Sequence, residues 1–192
     1  MQREDDESFA RSESSVAEGL RRAGGDAHAA ALMVADEVAR DLKRSGATGT
    51  AMLSTISALA DGDARGAADA GAGIGLVAEG FMIGAMCGAA ETPERTLAVI
   101  AHAADSFVRH AHQSGFDAVA AARGLVDGAA AWAERCALTA DAAANAAARG
   151  AADAAADVGP RIARKVREAL AARLIAGAAQ ALTETAATKT RS

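Results

Sequence analysis

Four sets of residues carry side chains that could do chemistry, and each has a plain structural reading beside it. Glu79 is the only charged residue between Ala70 and Ala90. A carboxylate in such an apolar run could hold a proton or face a ligand; a carboxylate that simply reaches solvent is the expectation. His102, Asp105, Arg109 and His112 share one face of a helix, because residues three, four and seven apart lie on one side. A His and an Asp three apart can ligate a metal, but no ExxH or HExxH pattern accompanies them and Arg109 would repel a cation. A solvated polar face is expected there, with His110 pointing elsewhere. Asp61-Gly62-Asp63 resembles a fragment of a metal-binding aspartate loop, yet no further ligand follows at useful spacing, so it reads as a turn and helix cap. Cys87 and Cys136 stand in apolar stretches and read as buried, reduced thiols. Walker A, GxSxG, CxxC and dinucleotide-binding patterns are all missing. The expectation is a protein with no catalytic residue, no cofactor and no metal; an enzyme would have to rely on Glu79, Asp105 or His102.

The elements that must position these residues are helices. Alanine supplies 58 of the 192 residues, whereas Leu, Ile, Val and Phe together supply 32. So few large apolar residues would suggest disorder if the net charge were high, but it is only −5. Alanine loses no side-chain entropy on entering a helix, so the composition favours helix strongly and a thick core weakly. There are two prolines and no β-branched alternation, which leaves 3.6 residues as the only period. The fold class expected is all-α: Ala/Gly-rich amphipathic helices in a bundle, with one or more long, projecting, coiled-coil-like helices. Helix is expected over at least about 70% of the chain.

Along the chain, residues 1–13 read as an acidic flexible tail without the apolar core of a secretory signal. Residues 14–60 hold N-terminal helices. Their first stripe runs Val16, Leu20, Ala23, Ala27, Ala31, Val34, Val38, Leu42, interrupted at Gly24-Gly25-Asp26 with Asp26 as a new N-cap and closed by Gly46. A short helix over about 50–60 follows. Residues 61–91 form a glycine-rich apolar helical segment. Residues 92–158 hold long amphipathic helices, opened by Thr92 as N-cap and Pro93 at the first helical position. The last of these starts near Phe116 and extends to Val158 unless it breaks near Gly124, Gly128 or Gly150. Gly159-Pro160 stops it. Residues 160–183 form a basic amphipathic helix, and 184–192 a frayed tail.

Three faces could bind something. Gly80, Gly84 and Gly88 recur every fourth residue, so another backbone can approach that face closely. Ala122, Val126, Ala129, Ala133, Ala140 and Ala147 form a seam of short knobs that suits long helix–helix contacts. Both faces are expected to serve helix packing and a homo-oligomer interface. Phe81, Met82, Ile83 and Met86 are the candidates for contact with lipid or a hydrophobic ligand, although an apolar segment this rich in Ala and Gly, with Glu79 inside it, suits a tightly packed buried helix better than a membrane span. Arg161, Arg164, Lys165 and Arg167 make a basic surface for anionic membranes, acidic proteins, or the acidic N-terminal segment of a neighbouring copy. Nucleic acid is not expected as a partner: the chain is acidic, has no Tyr and has one Trp for stacking.

Function is therefore expected to be that of a non-catalytic helical scaffold or oligomerisation subunit. It would dock partner proteins in a larger complex or enclose a hydrophobic ligand, in the cytoplasm or peripherally at the inner face of the membrane or on a granule. In alanine richness and long amphipathic helices the chain resembles phasins, at the level of composition and over about half its length. That resemblance implies an alternative: an amphipathic coat, of the phasin or apolipoprotein kind, on lipid or polymer granules.

Overall fold

The computed structural model describes Glu18 and residues 27–89 and 92–189, with side chains described from His28 to Ile175. Among the described residues there are seven α-helices and no strand, and helix takes up 90% of them. The helices are α1 (Ala27–Ser45), α2 (Gly49–Ala70), α3 (Ile74–Ala89), α4 (Pro93–Gln113), α5 (Ala118–Trp132), α6 (Ala140–Val158) and α7 (Pro160–Lys189). Residues 1–17, the Gly24-Gly25-Asp26 interruption and its cap lie outside the described residues.

Local chemistry explains where the helices begin and end. Thr92 Oγ1 accepts from the Arg95 amide, Thr139 Oγ1 from Ala142, and Asp117 Oδ1 from Val119, each satisfying an orphan donor of the first turn. Helix α2 ends in a Schellman motif: the Ala72 amide donates to Ala67 O and the Gly71 amide to Ala68 O, with Gly71 left-handed at φ 64°. The same pair of bonds ends α4 at Gly115.

Several expected boundaries are corrected. Asp61-Gly62-Asp63 is no turn but lies within α2, which continues to Ala70. The helix expected from Phe116 to Val158 is not continuous, and none of the three suspected glycines breaks it. A single 3-10 turn, Ala133–Cys136, follows α5, and Ala137 then takes a left-handed conformation at φ 55°. Thr139 restarts the chain as α6 with Asp141 in its first turn, where an acid complements the helix dipole. Pro160 stops α6 and also opens α7, which runs to Lys189, beyond the expected frayed end.

The helices stack in two rows. Helices α1, α3, α5 and α7 pack side by side in one row and α2, α4 and α6 in the other, with α7 lying against both α5 and α6. Neighbours within a row run parallel in a repeating register. Ser57 meets Ser106 and Leu53 meets His102, both at a separation of 49 residues. Ala31 opposite Gly80, Glu79 opposite Gly128 and Ala101 opposite Gly150 keep that separation. The chain is thus three successive helical hairpins plus a closing helix, each hairpin laid on the one before it. Phe81 and Phe107, both fully buried, join the two rows with ring centroids 4.9 Å apart, a favourable aromatic distance. Around them lie Val38, Ile56, Met82, Met86, Ile100, Leu125 and Val166.

Candidate functional site

The glycine ladder is a helix contact inside the chain. A Cβ added at Gly84 would lie 2.6 Å from Ala35 O and from Val38 Cβ, and one at Gly88 would lie 2.7 Å from Leu42 Cβ. Gly80 meets Ala31 O in the same way. All three rest on α1. Without side chains, α3 can lie with its backbone almost against that of α1, which increases dispersion contact along the whole pair. Gly124 and Gly128 set α5 on α3, and Gly150 sets α6 on α4, by the same device. The signal for these was the pair Gly124/Gly128, which repeats Gly80/Gly84 at an interval of 44 residues.

Most of the alanine seam is covered as well. Ala122, Val126, Ala129, Ala133 and Ala147 are buried by neighbouring helices of the same chain, and Ala140 is exposed. These faces therefore pack the hairpins on one another, where the sequence suggested an interface between copies. Phe81, Met82, Ile83 and Met86 are all buried, at 0–5% exposure, and form core instead of an outward apolar surface. Among the described residues no helix is long and apolar enough to cross a membrane.

The polar residues of α4 face their neighbours and not solvent alone. His102 Nε2 lies 3.0 Å from Leu53 O and 3.0 Å from Ser57 Oγ, and Ser57 Oγ lies 2.9 Å from the buried Ser106 Oγ. A backbone carbonyl only accepts, so the contact with Leu53 O requires hydrogen on Nε2. That nitrogen then has no lone pair for the Ser57 proton, and the Ser–His contact is not arranged to activate a nucleophile. It instead satisfies a free carbonyl and two hydroxyls between α2 and α4. Arg109 forms a bidentate pair with Asp105 and reaches across to Asp157 of α6 at 2.7 Å; these bonds push its pKa further up. His110 Nδ1 stands 3.3 Å from Asp61, which also pairs with Arg65, while His112 is exposed. The expected solvated face is in fact a set of polar links between α2, α4 and α6. Asp63 is completely buried within α2.

A second polar row crosses the other layer. The Glu79 carboxyl is raised above its ordinary range, chiefly by burial and then by Asp127, with His28 opposing the shift. Asp127 in turn accepts from Arg173 Nε at 2.7 Å. His28, Glu79, Asp127 and Arg173 come one each from α1, α3, α5 and α7, so Glu79 belongs to a transverse charged row. Cys87 and Cys136 are half-buried, and burial pushes both thiols up, which leaves them protonated and weakly nucleophilic at neutral pH. A hydrogen bond from Trp132 partly opposes the Cys87 shift, and the Arg135 guanidinium lies 4.0 Å from the centre of the Trp132 ring. Arg161, Arg164, Lys165 and Arg167 are all exposed on α7, as the sequence indicated.

Comparison with protein-family models, curated proteins and solved structures finds no match to this chain. Its function has to be argued from its own geometry.

Proposed function

We propose that this chain is a non-catalytic helical scaffold that docks partner proteins and associates with further copies of itself. The observation that carries the reading is the stack of parallel-registered hairpins. Stacked repeats bring side chains from successive helices into rows on one surface, and repeat proteins recognise partners through such extended surfaces. The row His28, Glu79, Asp127, Arg173 is of this kind. The repeat length also supports it: Thr48, Thr92 and Thr139, which precede the three second-row helices, are spaced 44 and 47 residues apart, within the ~40–47 residues of two-helix solenoid repeats.

Size-exclusion chromatography with light scattering, run with and without liposomes, tests the proposal. A defined oligomer without lipid, unchanged when lipid is added, is the expected result. A monomer at tens of micromolar that gains helix and moves onto vesicles or polymer granules would favour the amphipathic coat. That alternative draws on the exposed basic face of α7 and on Ile175, which is 72% exposed. It also requires Phe81, Met82, Ile83 and Met86 to leave the core.

A further inference from the structure

The free flank of α7 is basic. Ala163, Val166 and Leu170 face inward. At 100° per residue the opposite flank carries Arg161, Arg164, Lys165, Glu168 and Ile175, with Arg167 beside it. Glu168 is the only acid between residues 160 and 175, and it lies 4.0 Å from Arg164. No other acid among the described residues comes within ion-pair reach of Arg161, Lys165 or Arg167. A basic strip beside an exposed isoleucine is an incomplete surface: its charges repel one another and its apolar side chain is in water.

The complementary piece is in the same sequence. Glu4-Asp5-Asp6-Glu7 is a run of four acids, and Phe9 follows closely. Helices α1 and α7 stand at opposite ends of their row, three helix spacings apart, or about 24–30 Å at 8–10 Å per spacing. A chain's own N-terminal segment would have to cross the whole row to reach its own α7, whereas the segment of a copy stacked end to end starts next to it. We propose that the acidic segment around residues 4–9 of one copy docks on the outer face of α7 of the next. Glu4 to Glu7 would face Arg161, Arg164, Lys165 and Arg167, and Phe9 would cover Ile175. The contact is head to tail, so it extends to rings or filaments instead of closing as a two-fold dimer. It deepens the self-association part of the scaffold reading and rests on it.

Sedimentation velocity of the full chain, with circular dichroism confirming the fold of each variant, tests the pairing. Raising salt from about 50 to about 500 mM should weaken association roughly tenfold or more, because exposed charges are screened. Reversing the basic face (R161E, R164E, K165E and R167E together) or the acidic run (E4K, D5K, D6K and E7K together) should weaken it to a similar degree. Mixing the two reversed proteins should give a one-to-one complex, and a chain carrying both sets should regain its oligomers. Oligomers indifferent to both reversals would overturn the pairing while leaving the scaffold reading intact. Loss of binding to phosphatidylglycerol vesicles alone, with assembly unchanged, would assign the basic face to lipid and overturn it too. A compaction that is independent of concentration would place the contact within one chain and overturn it. A wild-type chain that stays monomeric throughout would remove both the pairing and the self-association beneath it.

Discussion

Glu79 illustrates how a residue can be singled out correctly and explained incorrectly from sequence. Its isolation in an apolar run was plain. What the run could not indicate was that the carboxyl is half-buried next to Asp127 of α5, with His28 of α1 nearby. The sign of its effect on stability follows from the raised pKa. The folded state binds this proton more tightly than the unfolded chain does, so ionised Glu79 opposes folding at neutral pH. That opposition fades as pH falls through the raised value towards the ordinary 4.5. Glu79→Gln is therefore expected to raise the urea midpoint slightly at about pH 7 and to leave it unchanged at about pH 4. The group is largely solvent-accessible, so screening keeps the effect small. A variant less stable than wild type at neutral pH would show that the carboxylate makes a bond Gln cannot replace.

At the scale of the element, the local rules worked where capping and glycine chemistry are strong and failed where packing decides. Thr92-Pro93 opens α4 and Gly46 closes α1 as their residue types dictate. Gly124, Gly128 and Gly150 look like breaks, because glycine is the poorest ordinary helix former. They stay helical because another backbone occupies the space of the missing Cβ. The actual break, at Ala137, falls on a residue that disfavours the left-handed conformation, and the Thr139 cap with Asp141 behind it was the only local sign. Gly84→Leu separates the two accounts of the ladder. Overpacking the contact with Ala35 and Val38 should cost 1–3 kcal/mol or more in chemical unfolding. On a merely exposed helix the same change would stabilise by up to about 1 kcal/mol. Because the partner of Gly84 is α1 of the same chain, the expected consequence is unfolding rather than dissociation of copies.

For the whole molecule, the stack implies graded stability. Helices α3, α4 and α5 have neighbours on both sides within the two rows, whereas α7 packs against α5 and α6 on one side only. Stability in such arrays is close to a sum over repeats and their nearest-neighbour contacts, so an end element opens before a central one. Native-state hydrogen exchange is expected to protect amides of α3 and α4 most strongly and those of α7 distinctly less. Equal protection from α2 to α7 would mean that the chain opens as a single unit, and would contradict independent hairpin stacking. The link from Arg109 to Asp157 and that from Arg173 to Asp127 each join neighbouring helices of a row, but as solvent-accessible pairs they add at most about 1 kcal/mol each.

The sequence by itself determined the helical class, the inward stripe of α1, most of α4, and the basic face of the last helix. These follow from side-chain entropy, from the 3.6-residue period and from charges that solvent alone can satisfy. It also singled out Gly80, Gly84 and Gly88 as a contact face without indicating which helix would lie there. That was decided by tertiary structure, because a face of small residues accepts any backbone that fits, and the intrachain neighbour is supplied by the hairpin turns at no cost in translational entropy. The tertiary structure likewise turned His102, Ser57 and Ser106 from separate polar residues into one network, since its members are brought together only by the register of α2 on α4.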